Sequence, residues 1–344
     1  MSGFRLAQGG AIDRDRRLHF RFNGELLMGF SGDTLASALL ANGVSTVARS
    51  FKYHRRRGIY AAGAEEPNAI VTIGQGDRAS PNLKATQVPL YDGLVATSVN
   101  CWPSVEFDLG ALASLVGRFL PAGFYYKTFM RPDWHLFEPW IRRAAGLGQA
   151  PRVDDADRYD HAHAHCDVLV VGAGPSGLAA ALAASRSGAR VILADDQPGF
   201  GGRLLSDGGA IDDAPAQAWL DTAQAELGAA GHVTLLKRTN VFGYYDHNLL
   251  GAYEEIALPG SPSGDSRPAG RLWHIRAGRV VLATGAFERP LVFGANDLPG
   301  VMLASAVRSY VARYAVAPGQ RAIVATNNDD AYRTALALLD AGVE

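Results

Sequence analysis

The chain has 344 residues, 48% of them apolar, and its 33 basic and 34 acidic side chains leave a net charge of −1. That length exceeds what one compact core normally organises, so at least two domains with ample buried apolar surface are expected. Near-neutral charge gives no electrostatic footprint for nucleic acid or for an anionic membrane surface, and two cysteines, Cys101 and Cys166, argue against a disulfide framework and against an all-cysteine metal or iron–sulfur site.

The opening MSGFRLAQGGAIDRDRRLHF lacks the basic segment and apolar run of a signal peptide. Apolar stretches such as Val168 to Val171 and Val280 to Ala283 fall far short of the roughly 20 residues that cross a bilayer. The expectation is a cytoplasmic protein with no membrane partner.

Residues 18–22 alternate apolar and polar before Asn23-Gly24, and ELLMGF follows, the pattern of a β-hairpin with a tight turn. A helix comes next, capped by Ser31 or Asp33, with Leu35 and Leu39 on one face and Asn42-Gly43 as its exit. Ala69 to Ile73 and Leu94 to Ser98 read as further strands, which makes residues 1–100 a small β-grasp-like module. Residues 101–165 form an aromatic-rich connector and linker. GFYYKTFMRPDWHLFEPW is expected to bury its rings against the protein itself or a partner subunit, a short helix is expected at Leu112 to Phe119, and 151–165 has the polar composition of a linker.

From Cys166 the pattern becomes αβ and continues to residue 344. CDVLVV is a buried strand, Gly177 to Ser187 a helix, ARVILAD a strand, Pro215 to Ala229 a helix and HVTLLKR a third strand. Strand, helix and strand in that order form a βαβ unit, hence a parallel sheet. A β-rich excursion spans Leu249 to Ile275, and GRVVLATGA returns as a core strand. Ala322 to Ala325 and Ala331 to Leu339 read as strand and helix of a second βαβ unit within which the sequence stops, so a fragment of a longer protein is expected. The fold class is therefore α/β, a β-grasp module followed by an incomplete Rossmann-type two-dinucleotide-binding fold.

The motif that carries chemistry is Gly172-Ala173-Gly174-Pro175-Ser176-Gly177, placed between a strand and a helix. Gly172 permits the tight turn, Gly174 leaves room for a pyrophosphate, and Gly177 allows close helix–strand packing, while the helix N-terminus favours negative charge. Asp195 ends the next strand, 18 positions beyond Gly177 (195 − 177), where a carboxylate accepts hydrogen bonds from ribose hydroxyls. Asp195 and Asp196 together repel a 2′-phosphate, which favours NAD or FAD over NADP, with Arg203 as a partial offset. Gln197, Gly202 and Arg203 continue the wall of the site. Thr284 and Gly285, at the end of a core strand, bring backbone towards the same cofactor, and Val241 completes the candidate set. Thr326 to Asp330, the corresponding turn of the second unit, lacks the glycines and reads as a non-binding crossover.

Other groupings are weaker. His161, His163 and His165 beside Cys166 recur at every second position and read as a solvated linker in preference to a metal site. The run KYHRRR, residues 52–57, suits either an anionic group or acidic residues of the same fold or of a partner, and the second reading is preferred. No nucleophile set or carboxylate pair stands out, so no catalytic residue and no metal ligand is assigned.

The segments HCDVLVVGAGPSGLAAALAASRSGARVILAD, GRVVLATGAFERPLVFGANDLPGVM and VATNNDDAYRTALAL resemble the alpha subunits of bacterial heterotetrameric sarcosine oxidases. The resemblance extends through SFKYHRRRGIYAAGAEEPNAIVTI and GFYYKTFMRPDWHLFEPWIRRAAGLG, and so covers essentially the whole chain. It implies a ferredoxin-like amino-terminal module. Because cluster-bearing relatives use C-x4-C-x2-C, and this chain has YHRRRGIYAAGAEEP there and Ala85-Thr86 at the place of the last ligand, the fold is expected without an iron–sulfur cluster. The resemblance further implies NAD in the glycine motif, with FAD as the alternative. It implies beta, gamma and delta subunits as partners, FAD on the beta subunit and FMN at the subunit interface. It also implies oxidation of sarcosine with O2 to glycine and hydrogen peroxide, the one-carbon unit passing to tetrahydrofolate on a carboxy-terminal domain absent here. Other readings are an oxidase of another secondary amine or amino-acid adduct, and a structural nucleotide-binding subunit.

Overall fold

The computed structural model describes residues 3–112, 114–115, 129–146, 148–155, 157–261 and 267–344. The chain divides into two compact units, Met1–Asp155 together with Arg289–Glu344, and Ala156–Glu288. The sequence reading carried one domain from 166 to 344, whereas residues 289–344 group with the first unit.

In the first unit, β1 (Asp13–Phe22) and β2 (Glu25–Ser31) form an antiparallel hairpin. Asn23 and Gly24 both take positive φ (51° and 87°), which a two-residue hairpin turn requires. Leu18, Phe20 and Phe22 alternate into the core. Helix α1 (Leu35–Ala41) is capped by Thr34 and not by Ser31 or Asp33, because the Thr34 hydroxyl accepts the Ser37 N–H and the Ser37 hydroxyl accepts the Thr34 N–H. Asp33 is buried and accepts from Arg5, from the Phe30 N–H and from the Ser37 hydroxyl.

Strands β3 (Ile70–Ile73), β4 (Ser80–Lys84) and β5 (Leu94–Ser98) complete a sheet ordered β2-β1-β5-β3-β4, with β5 parallel to β1. β4 had no sequence signal, since Pro81 and the positive φ of Asn82 place it among edge strands that tolerate such residues. The helix expected at Leu112 to Phe119 falls largely outside the described residues, and Leu109–Leu112 is one 3-10 turn. Helix α2 (Trp134–Ala145) packs Phe137 against Phe129 with ring centroids 5.1 Å apart and planes tilted by 45°. Within the aromatic run Trp140 is exposed on this chain, which leaves a partner subunit as the cover expected for its ring.

The second unit begins with β6 (Tyr159–Val171), seven residues earlier than expected, so 159–165 is strand and not linker. After it come α3 (Pro175–Arg186), β7 (Val191–Ala194), α4 (Ala216–Ala229), β8 (Val233–Leu236), β9 (Thr239–Tyr245), β10 (Leu249–Glu255) and β11 (Gly270–Leu282). The sheet order is β8-β7-β6-β11-β10-β9, with the first four strands parallel and β9 to β11 an antiparallel meander. β11 is one strand that serves both the meander and the parallel core. Val170 and Leu193 face α3 and α4 with Leu178 and Leu220, while Leu169, Ile192, Leu250 and Ile275 form the core on the opposite face.

Residues 289–344 add α5 (Ala304–Tyr314) and α6 (Asp330–Asp340) to the first unit. Tyr310, 1% exposed, packs in one core with Phe20, Leu39 and Ile59 and donates its hydroxyl to the Ala61 carbonyl at 2.8 Å. Buried Arg308 donates to the Thr334 hydroxyl and the Asp330 carboxylate, which ties α5 to α6. The strand expected at Ala322 to Ala325 is absent. A short apolar run becomes a parallel strand only where neighbours complete its hydrogen bonds, and here Ile323 is exposed while the Ala322 N–H bonds the Glu344 carbonyl.

Candidate functional site

β6 ends at Val171 and α3 starts at Pro175, so Gly172, Ala173 and Gly174 make the whole turn between them. Gly172 takes φ +98°, and a Cβ there would lie 2.3 Å from the Ala283 carbonyl oxygen. A Cβ on Gly177 would lie 1.8 Å from the Gly172 carbonyl oxygen, so bare glycine lets the helix sit against the strand. Gly174 differs from both, since a Cβ there would meet nothing within 4 Å. That open side lies at the N-cap of a twelve-residue helix with Pro175 at its first turn, where unpaired backbone N–H groups and the helix dipole favour an anion. Ser176 is exposed beside it.

Asp195 follows β7 and is fixed by the backbone on both sides. Its Oδ2 accepts the Ala173 N–H at 2.6 Å and its Oδ1 the Gln197 N–H at 2.8 Å. The Gly172 N–H bonds the Ala194 carbonyl and the Asp195 N–H bonds the Leu236 carbonyl, so the ends of three adjacent parallel strands lock the glycine loop in place. The next loop folds back over it. The Gly201 N–H bonds the Ala173 carbonyl, and Gly202, at φ +53°, comes so close that a Cβ would lie 3.0 Å from the Gly174 Cα.

Of the residues expected from sequence, the structure brings together Gly172 to Gly177, Asp195, Gln197 and Gly202. Thr284 joins them, because the Ala283 N–H bonds the Val171 carbonyl and a Cβ on Gly172 would also approach the Thr284 Cα at 3.2 Å. Gly285 follows with φ +71°. Asp196 is exposed and accepts from the Gln197 side-chain amide. Arg203 turns to Asp207, one helical turn on, at 2.9 Å. Val241 lies on β9, packed against the core that holds Leu236 and Leu250. The Thr239 N–H, on the same strand, bonds the Asp195 carbonyl. Sequence reasoning missed Ala194 and Ala283, whose carbonyls frame Gly172. Their only signal is position, Ala194 as the last residue of β7 and Ala283 one residue beyond β11, the two strands that flank β6.

The basic run resolves within its own unit. Arg55 and Arg57 both pair with Asp297, and the His54 ring meets the buried Asp108 carboxylate at 2.6 Å. Thr326 to Asp330 forms a side-chain-braced turn in which the Asn328 side chain accepts the Asp330 N–H. Among the described residues no helix is long and apolar enough to cross a membrane, and no group of three His, Cys, Asp or Glu side chains is placed to hold a metal.

With this geometry in hand, comparison with known proteins finds two family models. Residues 15–101 match a 2Fe-2S iron-sulfur cluster binding domain and residues 167–240 an FAD dependent oxidoreductase. The chain is 54% identical over 347 aligned residues to the sarcosine oxidase subunit alpha of Rhizobium meliloti (strain 1021), which takes in 100% of this chain and 35% of that one. It is 43% identical to the subunit alpha of Corynebacterium sp. (strain U-96), over 94% of this chain and 29% of that one. The L-proline dehydrogenase of P. horikoshii superposes with a TM-score of 0.65 and 20% identity, over 100% of this chain and 55% of that one, a likeness of fold.

The chain is thus an α/β protein in which one segment matches a 2Fe-2S cluster binding domain and another an FAD dependent oxidoreductase, and it is similar to an oxidoreductase subunit along its whole length. The expectation of a fold without an iron–sulfur cluster is overturned by the first match. That expectation counted cysteines at the ligand positions, in YHRRRGIYAAGAEEP and at Ala85-Thr86, whereas a family is recognised by its pattern over the entire module. The donors on hand there are few. Cys101 is the one cysteine in the matched residues. The loop at 60–69 closes on Glu66, whose carboxylate takes the N–H groups of Tyr60, Ala61, Asn68 and Ala69. The side chains present do not compose a four-thiolate set.

Proposed function

From its full-length similarity to sarcosine oxidase alpha subunits, we propose that this chain is the dinucleotide-binding part of the alpha subunit of a multisubunit, cytoplasmic amine oxidase. The observation that carries the reading is the glycine loop. Gly174 opens to free space at a helix N-terminus, while Gly172 and Gly177 are closed in by backbone. A pyrophosphate fits the open side, and the ribose falls to Asp195, held in place by the Ala173 and Gln197 N–H groups. Two neighbouring carboxylates, Asp195 and Asp196, disfavour a 2′-phosphate.

The dinucleotide is NAD in this reading. The match of residues 167–240 to an FAD dependent oxidoreductase supports FAD in the same place as the second reading. When bound, either supplies electron-carrier chemistry that no side chain offers. The residues of this chain bind and orient it. Amine oxidation falls to another subunit, with beta, gamma and delta chains as partners. In the whole enzyme sarcosine, O2 and tetrahydrofolate give glycine, hydrogen peroxide and methylenetetrahydrofolate, the folate bound by a part of alpha beyond this chain.

The test is to purify the chain, denature it and identify any released nucleotide by mass spectrometry. Stoichiometric NAD supports the first reading and FAD the second. Absence of any dinucleotide, with none taken up on incubation, would refute both.

A further inference from the structure

Three histidines project from the same side of β6, because residues two apart on a strand point alike, and β11 adds a fourth. In the parallel register of these strands His161 faces Leu272, His163 faces His274 and His165 faces Arg276. The rings of His163 and His274 stack with centroids 5.0 Å apart and planes 16° from parallel. The Nδ1 of His274 is buried with no hydrogen-bond partner, so the ring is held by packing. His163 is nine residues before Gly172, about 30 Å along an extended strand, which separates this face from the nucleotide loop.

We propose that His161, His163 and His274 form a site for a divalent transition metal of the zinc class. A His-x-His pair on one strand, with a third histidine in register on the neighbouring strand, brings three imidazole rings onto one sheet face within one residue pair of each other. Three such nitrogens at about 2.0–2.1 Å, with water in the fourth position, satisfy a tetrahedral ion. The rings now stack and do not converge. Turning the exposed His163 ring towards His274 needs only side-chain rotation into solvent. His161 is the third ligand in preference to His165. Leu272 beside His161 adds no charge, whereas His165 lies in register with the Arg276 guanidinium, a cation next to a cation site.

The test uses the full chain without a histidine tag and Zn2+ alone as probe, in competition with a chromophoric chelator. One Zn2+ per chain with micromolar affinity is expected. H163A and H274A should each weaken it more than tenfold, and H161A more than H165A. A second readout is Co2+, whose tetrahedral visible absorption should appear with the native chain and vanish with H163A. Circular dichroism melting of H163A, a surface substitution, controls for folding. Absence of saturable Zn2+ binding, or binding that survives H163A, would overturn the site. A larger loss in H165A than in H161A would overturn the choice of third ligand.

Discussion

The carboxylate of Asp195 accepts the backbone N–H of Ala173, 22 residues earlier, at 2.6 Å. The acid at the end of β7 therefore shapes the glycine loop as well as lining the proposed ribose site, because its other oxygen holds Gln197. A charged acceptor for a backbone N–H contributes about 1.5–3 kcal/mol. Asp195→Ala removes both bonds and should lower dinucleotide affinity at least tenfold and the melting temperature by several degrees. Asp195→Asn keeps one acceptor and turns a donor towards the other N–H, so it should fall between. Calorimetric titration with NAD and with FAD, together with thermal melting, checks both. Unchanged affinity in Asp195→Ala would remove this residue from the site.

Gly174 and Gly177 separate binding from folding. A methyl group on Gly177 has to displace the Gly172 carbonyl, 1.8 Å from where its Cβ would sit. Gly177→Ala should cost at least about 1–3 kcal/mol of stability, the usual range for overpacking. Gly174→Val meets no protein atom within 4 Å of its Cβ and should leave the melting temperature within a few degrees of the parent. It fills the place offered to the pyrophosphate, so nucleotide content should fall to background. Equal loss of stability in the two variants would contradict this division of roles.

These two glycines were legible in the sequence because their roles are local, a turn and a close approach with strand before and helix after. The Asn23-Gly24 turn was legible for the same reason. What was not legible depends on distant partners. Residues 159–165 have the polarity of a linker, and become strand because β11 lies beside them and supplies the ladder. Residues 289–344 follow the second unit in sequence but group with the first, where Tyr310 reaches a carbonyl 249 positions away. Asp195 was found as an acid at a strand end, yet its bond to Ala173 follows from side-by-side strands, which no local pattern records.

Glu66 is fully buried, and its two carboxylate oxygens take four backbone N–H groups at 2.6–2.9 Å. The same loop receives the Tyr310 hydroxyl on the Ala61 carbonyl and the Thr86 hydroxyl on the Gly63 carbonyl. Glu66→Ala strands the four donors in a dry core and should destabilise the first unit by at least about 1–3 kcal/mol, the cost of leaving a single buried donor unsatisfied. Glu66→Gln retains one acceptor oxygen and should lose less. Denaturant unfolding followed by the fluorescence of the aromatic side chains measures the difference, and a loss below 1 kcal/mol in Glu66→Ala would show that water replaces the carboxylate.

Cys166 sits in β6 with only 4% of its surface exposed, and burial raises its thiol from the ordinary 9.0 to about 11. Asp167 beside it adds to the shift and Arg190 opposes it. A thiol whose folded pKa lies above its unfolded value favours the fold while it stays protonated. Its contribution is complete below pH 9 and is lost as the pH rises towards 11. Two outcomes follow. At pH 8 the native chain should react with a thiol reagent at Cys166 only at the rate of opening, whereas the denaturant-unfolded chain exposes Cys101 and Cys166 together at once. Between pH 9 and 11 the stability of the parent should fall more steeply than that of Cys166→Ala, which has no proton to lose at this place. Parallel melting series at pH 8, 9, 10 and 11 decide it, and coincident slopes for the two chains would show that the strand tolerates a thiolate there.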